Sequence, residues 1–160
     1  MKVFLFPTVL FSGLVAGLFY AYSCSVNIGL RSLPDSEYIK AMQSINTAIQ
    51  NPAFFISFMG LLLLFPITAG QLYKQPNDSF YLIVVAMAFY FVGVFGVTIF
   101  CNVPLNEQLA KFPIATASQN EISEMRQIFE KPWNNYHTLR TIASVIAFGL
   151  TILSALKLKP

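Results

Sequence analysis

No charged residue interrupts the chain between Lys2 and Arg31. In water such a run would have to be buried whole. In a bilayer it is the normal state of a helix, because unpaired backbone groups in hydrocarbon cost several kcal/mol each and about 20 helical residues satisfy them internally. The pattern recurs at about residues 52–73, 80–101 and 133–156, the last with Arg140 as its only charge. With the first run, at about 3–28, this predicts an all-α integral membrane four-helix bundle forming one domain over residues 1–160. Composition agrees: 56% of residues are hydrophobic and 11% charged, against about 25% charged in soluble proteins. The first run is longer than the apolar stretch of a cleaved secretory signal and no A-x-A site closes it, so it is read as a span.

The connections are unequal. Residues 73–78 read as a tight turn, whereas 27–51 and 102–132 are long and polar, and four spans place both long loops on one side. Tyr38, Met42, Ile45 and Ile49 follow helical spacing between Pro34-Asp35 and Asn51-Pro52, predicting an interfacial helix at about 35–50. Ser118 stands three residues before Glu121, a capping-box spacing, and Ile122, Met125 and Phe129 continue an apolar face, predicting a second at about 119–131. Together they form a lid over one end of the bundle. Lys2, Lys74, Lys157 and Lys159 lie close to membrane ends on the opposite side, which points to cytoplasmic termini. The ten Lys and Arg residues form no basic stripe, so nucleic acid is excluded as a partner. There is no internal repeat, and no charged pathway or paired broken helices suggest a channel or transporter.

Polar groups concentrate at the lid end. Trp133, His137, Arg140 and Thr141 share one helical face, with Asn134 one position round from Trp133. Asn102 and Asn106 stand four apart across Pro104, on one face if helix resumes there, and Asn46 and Asn51 reach the same level. Each has a plain alternative: an asparagine cap, an aromatic-belt tryptophan, a buried histidine, or an Arg140 that snorkels or pairs with Glu130. Their convergence makes a pocket beneath the lid the candidate site. One histidine and two cysteines, Cys24 and Cys101, support no metal centre, and a haem on His137 alone is the weakest cofactor reading. The cysteines read as buried free thiols, with a disulfide the alternative. Gly13 with Gly17, and Gly93 with Gly96, permit close helix packing within a chain or in a homo-oligomer.

Three segments together resemble the anthrone oxygenase-like family of small membrane proteins: Ser25-Val26-Asn27-Ile28-Gly29-Leu30-Arg31-Ser32-Leu33-Pro34-Asp35 with its continuation to Asn51-Pro52; Asn102-Val103-Pro104-Leu105-Asn106 with Leu109; and Trp133-Asn134 with His137-Thr138 and Arg140-Thr141. The resemblance implies a cofactor-independent oxygenase that deprotonates an anthrone-like aromatic substrate and lets the carbanion react with molecular oxygen. It further implies His137 as general base, Arg140 or Asn102 as oxyanion donors, Trp133 as a stacking surface, and Asn106, Asn134 and Asn46 as orienting groups. The competing reading is a non-catalytic membrane protein that binds a lipid, quinone or aromatic compound in the same pocket. A third is a structural bundle whose polar cluster ties the lid down.

Overall fold

The computed structural model describes residues 3–73 and 78–158, and these are helical with short connections. Four helices are long and apolar enough to cross a membrane: α1 (Leu5–Arg31), α3 (Pro52–Tyr73), α4 (Asp78–Ala110) and α5 (Gln119–Lys157). A shorter helix, α2 (Asp35–Ala48), lies between α1 and α3. The turn expected at 73–78 falls largely on residues 74–77, outside the described residues, as do Lys2 and Lys159.

α1 and α4 each touch both α3 and α5, and α2 packs on α5 and on the end of α4. The bundle core is apolar, with Phe58, Leu61, Phe65, Ile83, Tyr90 and Val94 fully enclosed. Lipid supplies no hydrophobic drive between helices, so close packing and interhelical hydrogen bonds hold them. Thr8 and Thr68 pair their hydroxyls at 2.8 Å, Tyr90 donates to the Phe58 carbonyl at 2.7 Å, and Ser154 donates to the Ser79 carbonyl at 2.9 Å. Gly93 permits the closest approach, because a Cβ there would stand 2.6 Å from that of Ala143, and Gly13 packs on Phe148. These two glycines therefore serve contacts inside the chain, whereas Gly17 faces open space.

Two departures from the sequence reading bear on the site. The segments expected as 119–131 and 133–156 are one helix: α5 runs straight through Pro132. Proline lacks the N–H that would bond the Ile128 carbonyl and its ring crowds that carbonyl, but Ile128 is exposed, so the lost bond falls on the bundle's outer side. The capping box is formed, with the Glu121 carboxylate accepting from the Ser118 N–H at 2.7 Å and the Glu121 N–H donating to Ser118 Oγ at 3.4 Å. Second, α1 and α4 contain π-helical turns, at Tyr22–Val26, Phe89–Gly96 and Thr98–Asn102. A π turn holds one more residue than an α turn and rotates the face that follows. In α4 the helix then continues through Pro104 to Ala110, which puts Asn102 and Asn106 on one face.

The lid has a core of its own, in which Tyr38, Ile39 and Met42 of α2 pack with Leu109, Ile122, Phe129 and Trp133. Arg126 fastens it: its guanidinium donates to Asp35 and to the Leu33 and Arg31 carbonyls at 2.7–3.0 Å while also pairing with Glu130 at 2.7 Å. It further lies 4.4 Å over the Tyr38 ring. Burial and the neighbouring Glu130 carboxylate push the Tyr38 phenol well above its ordinary range. Asn51 joins α2 to α3, donating to the Ala48 carbonyl and accepting from the Phe54 N–H.

Candidate site beneath the lid

Successive turns of α5 carry Phe129, Trp133, His137 and Arg140, all buried. The spacing stacks them. Trp133 lies 6.1 Å from Phe129 at 28° and 5.1 Å from His137 at 11°, and Tyr22 closes against both Trp133 and His137 at 5.4 and 5.1 Å. The indole is thus flanked by rings one turn before and one turn after it, and it meets the cavity as part of a wall. A free stacking surface, as the sequence led us to expect of it, is not what this geometry offers.

Trp133 is gripped from α4. Asn106 Oδ1 accepts from the indole N–H at 2.7 Å, and Asn102 Nδ2 donates to the Trp133 carbonyl at 3.3 Å. The two asparagines hold one residue by side chain and backbone.

His137 is 2% exposed, with both ring nitrogens engaged. Nε2 stands 3.2 Å from the Phe19 carbonyl and Nδ1 3.1 Å from Arg140 Nη2. A carbonyl only accepts and a guanidinium only donates, so the Nε2–H tautomer satisfies both contacts. Thr141 adds a hydroxyl 3.5 Å from Nε2, and Ser23 meets Thr141 at 2.9 Å.

Arg140 is 7% exposed. It donates to Thr98 at 3.2 Å and to His137, and its charge lies 4.8 Å from the Phe19 ring and 5.5 Å from that of Trp133. Its Nε–H is buried without a partner among the described residues. The alternative of a pairing with Glu130 is not realised: Glu130 binds Arg126, and among the described residues no carboxylate lies within ion-pair distance of Arg140. A cation–π contact stabilises by about 0.5–2 kcal/mol, whereas taking an ion out of water costs several kcal/mol. The neutral contacts offset part of that cost and leave the positive charge uncompensated.

A cavity of about 370 Å³ opens against this face, within the usual range for small-molecule sites. Trp133, His137, Arg140, Asn106 and Asn46 of the sequence-derived set line it. Apolar side chains including Phe19, Phe54, Phe58, Met59 and Ile99 supply most of the remaining wall, and the second half of α2 roofs it. Two expected residues are not on it. Asn102 stands behind Trp133, 1% exposed, because the last π turn of α4 directs it at the α5 backbone. Asn134 faces an outer cleft with Arg126, Glu130 and Asn135, since one position along a helix is a rotation of about 100°.

Sequence reasoning missed Phe19, Tyr22, Gln43 and Thr98, all on the cavity. Gln43 ties α2 to the end of α4 through the Leu109 and Phe112 carbonyls at 2.9 and 3.0 Å. The available signal was depth: Tyr22 and Thr98 are polar-tipped residues at the lid-side ends of spans, level with Asn102. Cys24 and Cys101 are free thiols, Cys24 exposed.

In comparisons with known proteins, residues 40–150, more than half of the chain, match the family described as anthrone oxygenase. No curated protein and no solved structure matches the chain.

Proposed function

The chain belongs to the anthrone oxygenase family, and on that premise we propose that it is a membrane-embedded, cofactor-independent oxygenase acting on an anthrone-like or other hydrophobic aromatic substrate. The observation that supports this most is a single cavity, mostly apolar, with His137 and Arg140 side by side in its wall. An anthrone carries an acidic methylene opposite a ketone. Arg140 donates to the ketone oxygen, and as it turns towards the substrate it releases His137 Nδ1, which takes the methylene proton. The electron pair left behind reduces molecular oxygen. Overall, one oxygen atom becomes the new ring carbonyl, and the other leaves as water with the two methylene hydrogens. Asn106 and Asn46 orient the substrate, while Asn102 acts through Trp133 as a positioning residue.

In this reading the protein is multi-pass with cytoplasmic termini. Both substrate and oxygen are soluble in membrane lipid and reach the cavity from it, and a homo-oligomer is compatible with the site.

The test is oxygen uptake by purified protein with a simple anthrone, beside His137→Ala in the same detergent to subtract autoxidation. Uptake above background that the variant loses is the expected result. Equal uptake by both proteins would remove His137 as base. One observation favours the second reading, a binding protein without turnover: both ring nitrogens of His137 are already satisfied within the chain. Saturable ligand binding under argon, with no uptake in air above background, would decide for it.

A further inference from the structure

Five buried side-chain polar atoms lack a partner among the described residues: Asn46 Nδ2, Arg140 Nε, Asn102 Oδ1, Asn134 Oδ1 and Ser79 Oγ. The cavity sorts them by kind. Asn46 and Arg140 line it, and both of their unpaired atoms are donors. The two unpaired amide oxygens belong to residues off the cavity, and Ser79 lies at the far end of the bundle.

Two acceptors of the cavity wall are already taken. Asn106 Oδ1 holds the indole N–H, and His137 Nδ1 holds Arg140. Glu107 is the one carboxylate in the lining, and it is exposed and forms no ion pair among the described residues. The buried guanidinium thus lines a partly open, largely apolar space as a cation with no ion-pair partner among the described residues. A neutral ligand could fill the donors but would leave that charge uncompensated. Water alone would have to occupy a wall made largely of Phe19, Phe54, Phe58 and Met59.

We infer that the cavity holds its ligand as an anion, whether it arrives ionised or is deprotonated there by His137: an apolar, preferably aromatic body bearing one ionised oxygen, a phenolate, enolate or carboxylate, seated on Arg140 with Asn46 as second donor. This rests on the reading of the cavity as the substrate site and narrows it. Substrates would be held most tightly in their ionised form, so an aromatic compound with no acidic oxygen or acidic C–H next to a ketone is a poor ligand whatever its fit. Hydrogen bonds to an ionised group are the strong ones, and a guanidinium already stripped of water loses little more on binding.

The chain contains one tryptophan, Trp133, and it stands in the cavity wall, so its emission reports occupancy. The experiment titrates purified protein under argon with anthracene-9-carboxylate and with the neutral 9-anthracenemethanol, reading quenching of Trp133. The carboxylate is expected to bind about ten- to a hundred-fold more tightly. In Arg140→Gln that preference should vanish, and Arg140→Lys should recover part of it. A competition arm with oleate names the source: displacement points to lipid-derived carboxylates as well, and no displacement to aromatic anions alone, the charge requirement standing in both cases. Equal affinity of wild-type protein for the two anthracenes overturns the inference and leaves the cavity as a site. If neither compound quenches, the site reading falls with it. The wild-type comparison needs no variant, so a misfolded Arg140→Gln does not shelter the idea.

Discussion

The two halves of this bundle are built on opposite principles. Towards the end where α3 and α4 meet, buried polar groups are hydroxyls that bond the nearest backbone or one another: Thr8 with Thr68, Thr151 with the Ala147 carbonyl, Ser154 with the Ser79 carbonyl. Between them stand large apolar side chains without exposure, Leu61, Phe65 and Ile83. At the lid end an imidazole, a guanidinium and amides are buried beside hydroxyls such as that of Thr141, and four of the five unpartnered atoms among the described residues lie there, Ser79 Oγ being the exception. The first half is closely packed, and the second, beside a core of its own, retains unsatisfied groups next to a cavity. The juxtaposition marks the site more firmly than any single residue does, since strain and unmet polarity persist where the rest of the fold can carry them.

The largest effect that would break this division is on the apolar half. Phe65→Ala removes an enclosed ring that packs on Tyr90 at 5.5 Å. The ring would be among apolar neighbours in lipid as well, so the transfer contribution is mostly absent and the cavity left behind dominates. About 2–3 kcal/mol should be lost, read by thermal or denaturant unfolding in detergent, with anthracene-9-carboxylate affinity nearly unchanged. A collapse of ligand affinity without loss of stability would mean that the two halves are not separable.

A smaller effect of opposite sign is expected at the lid end. Arg140→Met keeps the length and packing of the stem and deletes a buried charge that has no counter-ion. Replacing uncompensated buried ions with apolar groups is often neutral or stabilising, so unfolding should occur at equal stability or up to about 2 kcal/mol higher. Affinity for anthracene-9-carboxylate should fall to that for the neutral 9-anthracenemethanol. Destabilisation on the scale of Phe65→Ala would instead make Arg140 a structural tie between Thr98, His137 and the Phe19 ring, and would favour the purely structural reading of the cluster.

The sequence carries one half of the molecule more openly than the other, for a physical reason. Uncharged apolar runs have a single solution in a bilayer, so four spans can be read directly, as can the lid helix that carries Tyr38 and Met42. The face holding Trp133, His137 and Arg140 follows from helical spacing alone. Three features do not. The π turns leave no periodic trace in runs that are apolar on every side, which hides the inward turn of Tyr22 and Thr98 and the outward displacement of Asn102 from the cavity. Pro132 signals a stop that the edge of the bundle does not need. Arg126 sits in a polar segment like any surface arginine, and its partners lie at Arg31, Leu33 and Asp35, more distant in sequence than any local pattern reaches.

The smallest effect tests whether the polar groups of the two halves differ in kind. Thr8 donates to the Phe4 carbonyl at 2.7 Å, so the contact with Thr68 must be a bond that Thr68 donates. Thr8→Val keeps the shape and removes both bonds, but the freed Thr68 hydroxyl can turn to a carbonyl of its own helix. Interhelical bonds of this sort average about 0.6 kcal/mol in membrane proteins because the separated helices find partners too. The variant should therefore unfold within about 1 kcal/mol of the parent and bind anthracene-9-carboxylate equally well. A loss of several kcal/mol would show that the hydroxyl half is held by specific polar contacts after all. The contrast between the halves would then lie only in which of them faces a cavity.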